Sequence, residues 1–476
     1  MTKKKYIHLG IMLLITLLIS ICPTIGSLTP LGMRTLAIFI VVLYGWMTVD
    51  LIWPSIYGFV MLALLGIMDT TTALMTGLGN SQIVQVITVM VVAGAFDASG
   101  VTKLITNWML TRKLFRKQPW LLICGLVLTS YVLSLCGVAI AAVLILWSVV
   151  LQIADEGHFD RGDKLITFII LMIAAANFSG VFSLPFHATT MIFEGYFIDT
   201  TDLTFSTAQF ILVGVVTTGL VLAIMLLCGK FVFRMDASKF RMPEETIEKM
   251  EHETIETRAK IGFVTLIVYM LCLVVPSVFP NMPGASFAQA LGIGGWSLLA
   301  LLVLAVVSVQ GKTIIDLPKT WTQYIDWSLL LLLSVTFPLA DAMRSEETGI
   351  MSSLMAAVMP VVSEMSLFSF MVLSMILLGI ITQFAHNIVL AAMFTPFLIP
   401  ICIQLGGNPY VLFFLMFFSL NASYCTPAAS FQSAMVHGFE ATNKKYAYIF
   451  GIVFSVLTWI VLTVVTIPLA GVMFPY

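Results

Sequence analysis

Charged residues are scarce in this sequence of 476 residues. Only 10% of them are Asp, Glu, Lys or Arg, whereas 60% are hydrophobic, and a soluble domain carries about 25% charged residues. Apolar stretches of roughly 18 or more residues recur along the chain, and each is long enough to cross a bilayer as a helix. The composition therefore excludes a soluble globular protein and predicts an all-α polytopic membrane protein.

Several catalytic motifs are also absent. The sequence contains no GxxxxGK[ST] loop for ATP and no HExxH metalloprotease motif, and its basic clusters flank apolar segments instead of forming a nucleic-acid patch. Its seven Cys are an odd number without a CxxC pair, which favours unpaired buried thiols. We therefore expect neither an enzyme nor a nucleic-acid partner, and no cofactor other than a coupling ion.

Two polar interruptions divide the apolar sequence. One is ANFSGVFSLPFHATTMIFEG at 176–195, and the other is NASYCTPAASFQSAMVHG at 421–438. Lipid cannot satisfy backbone groups that a broken helix releases, so such breaks survive only inside protein or beside a wet cavity. Matching breaks in two halves of a chain indicate the binding site of a transporter.

The order of apolar stretches predicts about eleven transmembrane helices and two re-entrant hairpins. Only Arg34 and Arg344 of the 23 basic residues face outward on this path, which satisfies the positive-inside rule. It places the N-terminus in the cytoplasm and the C-terminus outside, in a multi-pass protein of the cell membrane. The predicted segments are an N-terminal transmembrane helix (1–27), a first repeat (28–233) with a hairpin (121–152) and a broken helix (165–198), a cytoplasmic loop (234–260), and a second repeat (261–476) with a hairpin (366–402) and a broken helix (409–440).

Short echoes support the internal repeat. Gly100 is echoed by Gly349 and Gly195 by Gly438, in the same order and at nearly the same offset. Each half has an odd number of crossings, so the second half is inverted relative to the first. This architecture predicts a site near the bilayer midplane, where hairpin tips meet breaks.

The segments LTP at 28–30, YGWMT at 44–48, GLGNS at 77–81 and IDW at 325–327 resemble the divalent anion:sodium symporters. These are the dicarboxylate, citrate and sulfate carriers of the ion transporter superfamily. The resemblance implies a homodimer and a hairpin-bearing core that moves against a scaffold. It also implies that Ser-Asn-Thr hairpin tips and Thr-Pro-Pro-Asn breaks hold sodium and the substrate carboxylates.

The chain departs from those motifs. The first tip reads Cys-Gly-Val and the second His-Asn-Ile, while the breaks read His-Ala-Thr-Thr and Ser-Phe-Gln-Ser. Transferred by position and by local polarity, the candidate substrate-binding residues are Cys136, Gly137, Val138, Ser183, His187, Thr189, Thr190, His386, Asn387, Ile388, Ser430, Gln432 and Ser433.

The coupling ion is left open between Na⁺ and H⁺. The Cys-Gly-Val tip offers no side-chain oxygen, so at most one family-like sodium site is expected, in the second half. Its candidate ligands are Thr382, Gln383, Asn387, Thr426 and the backbone near Ala428. His187 and His386 are either proton-carrying or anion-holding groups or neutral imidazoles hydrogen-bonded in the interior.

These observations predict a secondary active transporter of small organic anions resembling di- or tricarboxylates. Its partners would be the anion, membrane lipid and a second copy of the chain. Two alternatives remain within the superfamily: an inorganic-anion carrier and a cation/proton antiporter. An intramembrane enzyme or a channel is a further alternative from a different class.

Overall fold

Helices form nearly all of the regular structure. A computed structural model describes residues 2–24, 26–116, 118–137, 140–252, 254–427 and 429–476. Within these ranges the strands are two short segments, β1 (Ser308–Val309) and β2 (Lys312–Thr313), which pair antiparallel. The prediction of an all-α polytopic membrane protein is confirmed.

Among the described residues, the first half of the chain has twelve helices, the last of which continues into a π-helical turn (Cys228–Val232). They are α1 (Thr2–Ile21), α2 (Pro30–Thr48), α3 (Ile52–Leu64), α4 (Thr70–Gly77), α5 (Ser81–Ala98), α6 (Val101–Leu110), α7 (Lys113–Arg116), α8 (Pro119–Leu135), α9 (Ile140–Glu156), α10 (Lys164–Val181), α11 (Ala188–Thr201) and α12 (Thr207–Leu227).

The second half begins after α13 (Glu244–His252), a short helix of the polar loop. Its helices are α14 (Thr257–Val278), α15 (Ala285–Val306), α16 (Leu317–Gln323), α17 (Trp327–Arg344), α18 (Ile350–Val362), α19 (Leu367–Ile381), α20 (Asn387–Gln404), α21 (Pro409–Asn421), α22 (Phe431–Gly438), α23 (Lys444–Val461) and α24 (Ile467–Met473). A 3₁₀ turn (Glu346–Thr348) precedes α18, and a π-helical turn (Leu462–Thr466) joins α23 to α24.

Many helices begin where the sequence supplies a capping side chain. Thr29 accepts a hydrogen bond from the backbone N–H of Gly32 ahead of α2, whose first residue is Pro30. Asp163 and Asp326 cap α10 and α17 in the same way. A capping oxygen satisfies a backbone donor that the first helical turn leaves free, and Pro fits the first helical position because it has no N–H to lose.

The number of membrane crossings depends on how bent helices are counted. Among the described residues, nine helices are long and apolar enough to span a bilayer, or ten if α18 and α19, which meet at 112°, form one span. The helices α8 and α21 are apolar but shorter. The predicted count of about eleven spans remains a prediction.

The centre of the protein is built from α10 and α21. Every residue of α21 is buried, as is every residue of α10 from Leu165 to Val181 except Ser179. Phe413 and Phe414 of α21 meet Phe205 and Phe210 with ring-centroid distances of 4.7 to 6.5 Å. Helices that are apolar on all sides belong in an interior of this kind.

The elements of the two halves are interleaved around this centre. Helix α11 packs on α20 and α5, and α10 packs on α8, α9 and α22. Trp147 of α9 contacts the ring of Phe439, which follows α22, at 4.5 Å. The ends of α8 and α10 and the starts of α11, α20 and α22 therefore lie in one region.

Candidate functional site

A cavity of about 520 Å³ lies where these helix ends converge. It is bordered by the end of α8, the break between α10 and α11, the start of α20 and the region before α22. It also extends along α5 to Asp97 and to Asp326, which is exposed at the surface. The cavity is therefore open to the exterior at the end of the molecule where α5 ends and α17 begins.

Helix α8, the first helix of the first hairpin, packs closely against α10, the first part of the first broken helix. A Cβ atom at Gly180 of α10 would lie 2.7 Å from the backbone oxygen of Tyr131 and 2.8 Å from Cβ of Ser134. Ser130 donates to the backbone oxygen of Ile173 at 2.8 Å, and Ser134 donates to that of Asn177. Only glycine permits this approach of α8 to α10.

Three hydroxyl groups form a closed cluster behind the first break. Tyr131 of α8 lies 2.7 Å from Ser183 and 2.9 Å from Thr218 of α12, and Ser183 lies 2.8 Å from Thr218, all measured between hydroxyl oxygens. Ser183 and Thr218 also bond backbone oxygens of Ser179 and Gly214. We call Tyr131, Ser183 and Thr218 the hydroxyl cluster.

Amide side chains make the corresponding connections in the second half. Gln383, just after α19, donates to the backbone oxygens of Gly379 and Ala422 at 2.8 and 3.0 Å and accepts from the N–H of Cys425 at 3.0 Å. Asn387 donates to Oδ1 of Asn421 at 2.6 Å. We call Gln383, Asn387 and Asn421 the amide cluster. It ties the second hairpin to the end of α21 and the unwound segment after it.

Three helices begin at the cavity. His187 caps α11, with its Nδ1 accepting from the N–H of Thr189 at 3.4 Å, and His386 caps α20 through the N–H of Ile388 at 3.4 Å. Ser430 caps α22 by accepting from Ser433 at 3.1 Å. A helix N-terminus carries free N–H groups and partial positive charge, so it favours an anion. In both histidines, the accepting Nδ1 leaves the proton of a neutral imidazole on Nε2.

The cavity carries the acidic side chains of Asp97 and Asp326 but no Lys or Arg among its described lining residues. Asp97 accepts from the hydroxyl of Thr102 at 2.7 Å and lies 3.5 Å from that of Tyr324. Asp326 accepts from the N–H groups of Ser328 and Leu329 at the start of α17. An anion in the cavity would therefore depend on helix ends, amides, hydroxyls and imidazoles.

The end of α17 farthest from the cavity mouth carries an ion pair. Arg344 contacts the carboxylate of Asp199 at the end of α11 at 2.8 Å and that of Asp341 at 2.7 Å, and it also bonds the backbone oxygen of Asp199. At a rise of 1.5 Å per residue, Arg344 lies roughly 27 Å along α17 from Asp326. We call Arg344, Asp199 and Asp341 the end clamp, because it joins α11 to α17 on the side opposite the opening.

Comparison with known proteins identifies the family of this chain. Residues 35–378 match the sequence model of the citrate transporter family. The chain belongs to the citrate transporter family. This confirms the resemblance to a family of anion carriers that includes citrate carriers, and it makes the protein a membrane transporter and not an enzyme. The matched region includes the first hairpin and the first break and ends before His386.

A solved structure resembles this citrate transporter family member in fold. The YdaH transporter of Alcanivorax borkumensis aligns with a TM-score of 0.61 and 16% sequence identity, over 85% of this chain and 88% of that chain. At this identity the likeness concerns the fold alone. No curated protein matches the chain.

Most candidate substrate-binding residues of this transporter border the cavity. Ser183, Thr190 and Ser433 do not, because each is fully buried and bonded to a backbone oxygen, of Ser179, Val181 and Thr426 respectively. Val138 lies outside the described residues. Those that line the cavity are Cys136, Gly137, His187, Thr189, His386, Asn387, Ile388, Ser430 and Gln432.

The candidate sodium ligands lie together but are already bonded. Thr382 donates to the backbone oxygen of Leu420 at 2.9 Å, and Thr426 to that of Gln383. The amide oxygen of Gln383 accepts from Cys425. Ala428 lies outside the described residues. A cation at this position would have to share oxygens that already take part in these hydrogen bonds. Within the described part of the chain no group of three His, Cys, Asp or Glu could hold a metal ion.

Sequence reasoning missed several polar contacts. It did not single out Tyr131 or Thr218, and it did not identify Asp97 as a residue that lines the cavity. Glu194 and Glu440 both follow a break, yet Glu194 has a buried Oε1 without a hydrogen-bond partner among the described residues, whereas Glu440 is exposed and pairs with Arg161 at 2.8 Å. The acids therefore occupy unlike environments, a difference that residue type and position do not reveal.

Proposed function

We propose that this protein is a secondary active carrier that moves small organic anions resembling di- or tricarboxylates across the cell membrane. The observation that carries the proposal is the convergence of three helix starts, capped by His187, His386 and Ser430, on one cavity. These starts supply positive dipole ends and N–H groups to a carboxylate. Membership of the citrate transporter family supports the same substrate class.

The carrier works by alternating access between the two faces of the membrane. The cavity is open at the end of the molecule that carries Asp97 and Asp326, while the end clamp joins α11 to α17 on the opposite side. With the N-terminus in the cytoplasm and the C-terminus outside, as the Lys and Arg distribution predicts, the open side faces the cytoplasm. The moving core comprises the hairpins and broken helices of two inverted repeats, 28–233 and 261–476, within a homodimer.

Uptake into proteoliposomes tests the proposal. Radiolabelled succinate, malate, citrate and sulfate are supplied to the purified full chain, and we expect saturable uptake of at least one organic acid that unlabelled acid inhibits. Uptake of sulfate alone would favour an inorganic-anion carrier. Transport of a cation with none of the acids bound or moved would show that the anion proposal is wrong.

A cation/proton antiporter is the second candidate. Asp97 and Asp326 line the cavity, and its described lining residues include no Lys or Arg. Acidic groups attract cations and oppose polyanions. Acidification of liposomes in exchange for Na⁺ or K⁺, without any organic acid, would favour this candidate.

Coupling uses H⁺ or at most one Na⁺. The first tip offers Cys136 and Gly137 without a side-chain oxygen, and the second offers only the partly used oxygens of Thr382, Thr426 and Gln383. We expect uptake to depend weakly on Na⁺, with a Hill coefficient of at most about one. His386→Gln keeps hydrogen bonding but cannot titrate, so it should flatten the pH dependence of uptake while binding persists. Steep multi-ion sodium dependence would contradict this.

The end clamp gives a direct test of alternating access. Arg344→Gln removes the partly buried ion pairs of the end clamp. It should raise the fraction of protein molecules whose cavity is open on the side of the clamp. A version of the chain with Cys136 as its sole cysteine reports this, because Cys136 lines the cavity. Labelling by an impermeant maleimide from the clamp side should increase roughly tenfold if the pair contributes about 1.4 kcal/mol.

Arg34→Gln is the matched control for this experiment. Arg34 is also predicted to face outward, but it is exposed and donates only to the backbone oxygen of Leu65. Its removal should leave Cys136 labelling unchanged. Equal labelling in both variants and in the unmodified sequence would show that the clamp does not hold that side closed.

A further inference from the structure

The cavity has an apolar part that the carboxylate-binding groups do not account for. Its polar groups concentrate at the tips and helix starts, around Asn387, Thr189 and Gln432, whereas most of the remaining wall is hydrocarbon. Six large aliphatic side chains of this wall are only partly buried: Leu51, Met90, Leu135, Leu184, Met270 and Leu329. We call these six residues the apolar wall.

The apolar wall is formed by several elements that border the cavity. Leu184 belongs to the first break, Leu329 to the first turn of α17, and Met90 to α5. The fully apolar rings of Phe178 and Phe186, both about 5% exposed, lie behind this surface. Partly exposed hydrocarbon gathered on one concave surface is typical of a ligand pocket, and covering it releases water favourably.

Charge restricts the ligand further. No Lys or Arg is among the described lining residues, and Asp97 and Asp326 add negative charge near the opening. A compact anion with several charges would meet no full positive charge, and the exposed hydrocarbon would remain uncovered. One or two carboxylates at the helix starts, joined to an apolar body, would match both parts of the cavity.

Resting on the proposed function, we infer that the substrate is an organic carboxylate with an apolar body about the size of a phenyl ring, which lies against the apolar wall. A volume of about 520 Å³ lies within the ~300–1,000 Å³ typical of pockets that enclose drug-sized ligands. The carboxylate occupies the helix starts, and the apolar body extends from there toward Leu184 and Leu329.

A matched pair of ligands tests this inference on the purified full chain. Succinate and 2-phenylsuccinate share two carboxylates and differ by one ring, and their dissociation constants are obtained from thermal-shift titrations. We expect 2-phenylsuccinate to bind at least roughly tenfold more tightly, because even one well-placed apolar group in a pocket changes affinity by about this factor. Equal or weaker binding of 2-phenylsuccinate would overturn the inference.

Variants of the apolar wall test whether the phenyl ring binds against this surface. Leu184→Ala and Leu329→Ala should each reduce the advantage of the phenyl compound over succinate to roughly threefold or less. Leu212→Ala is the control, because Leu212 is 44% exposed on α12 and does not line the cavity. An advantage that survives both wall variants would place the ring elsewhere and contradict the inference.

The dimethyl ester of 2-phenylsuccinate separates the two proposals. The ester keeps the ring and lacks both charges, so it should bind much more weakly than the acid. If the ester binds as well as the acid and succinate does not bind, the apolar wall is a real ligand surface but the proposed anion function fails. If succinate or citrate binds tightly and the ring adds nothing, the anion function stands and this inference fails.

Discussion

The two junctions between hairpin and broken helix use different chemistry for the same connection. The hydroxyl cluster joins α8, the first break and α12 through three hydroxyls in mutual contact, of which Ser183 and Thr218 also donate to backbone oxygens one turn earlier. The amide cluster joins the second hairpin to the end of α21 through side chains that donate and accept at once. The first junction is internally complete, whereas the second keeps Asn387 at the cavity surface. The comparison predicts that the first junction mainly stabilises the fold and the second also binds substrate.

The largest effect is expected from Asn387→Ala. A carboxamide can offer its NH₂ to a carboxylate or its oxygen to a cation, and Asn387 lines the cavity. Uptake should fall at least tenfold, which corresponds to about 1.4 kcal/mol of lost interaction, while the size-exclusion profile stays monodisperse. The double variant Asn387→Ala/Asn421→Ala controls for the unpaired amide left behind. Normal transport by Asn387→Ala would show that the second junction, like the first, only stabilises the fold.

Gly180→Ala tests the close packing of the first junction. The added Cβ would meet the backbone oxygen of Tyr131 at 2.7 Å, and backbone cannot move aside as a flexible side chain can. We expect a loss of about 1–3 kcal/mol in the free energy of unfolding, seen as a lower thermal midpoint in detergent. Gly219→Ala is the control, since nothing lies within 4 Å of its Cβ position, and it should be neutral or stabilise by about 0.5–1 kcal/mol. Equal midpoints in the two variants would contradict this packing.

We expect a smaller difference in the free energy of unfolding between the variants Gln383→Leu and Tyr131→Phe. Gln383→Leu leaves the N–H of Cys425 and the backbone oxygen of Gly379 without their side-chain partner, which should cost about 1–3 kcal/mol. Tyr131→Phe removes one hydroxyl, but Ser183 and Thr218 still donate to the backbone oxygens of Ser179 and Gly214, so the cost should be about 0.5–1.5 kcal/mol. Thermal midpoints measure both, and uptake by Tyr131→Phe should remain close to normal. A larger loss for Tyr131→Phe would reverse the comparison.

Local signals made part of this arrangement visible in the sequence. The polar residues at 176–195 contain the end of α10 at Val181 and the start of α11 at Ala188, because a helix that breaks inside apolar surroundings needs residues able to satisfy its released groups. His187 and His386 were singled out as intramembrane ionisable residues, and both line the cavity. Features encoded within one helix turn or one break could therefore be predicted.

Contacts between distant helices could not be predicted. Tyr131 and Thr218 are 87 residues apart, and a hydroxyl on an apolar helix has the same local pattern whether it bonds its own backbone or another helix. Arg344 counted as one of two outward-facing basic residues, yet it pairs with Asp199, 145 residues away. Asp97 lines the cavity, but sequence does not show whether an acid at a helix end faces lipid headgroups or a cavity.

The phenylalanine cluster at the centre limits how this protein can move. Phe413 and Phe417 of α21 pack against Phe210 of α12, and Phe417 also packs against Phe193 of α11, all with ring-centroid distances between 5.2 and 6.5 Å. Interlocked aromatic rings in a dense core do not slide past one another without opening voids. The two broken helices should therefore travel together as one rigid body, and the relative displacement falls on the looser surfaces between that body and α17.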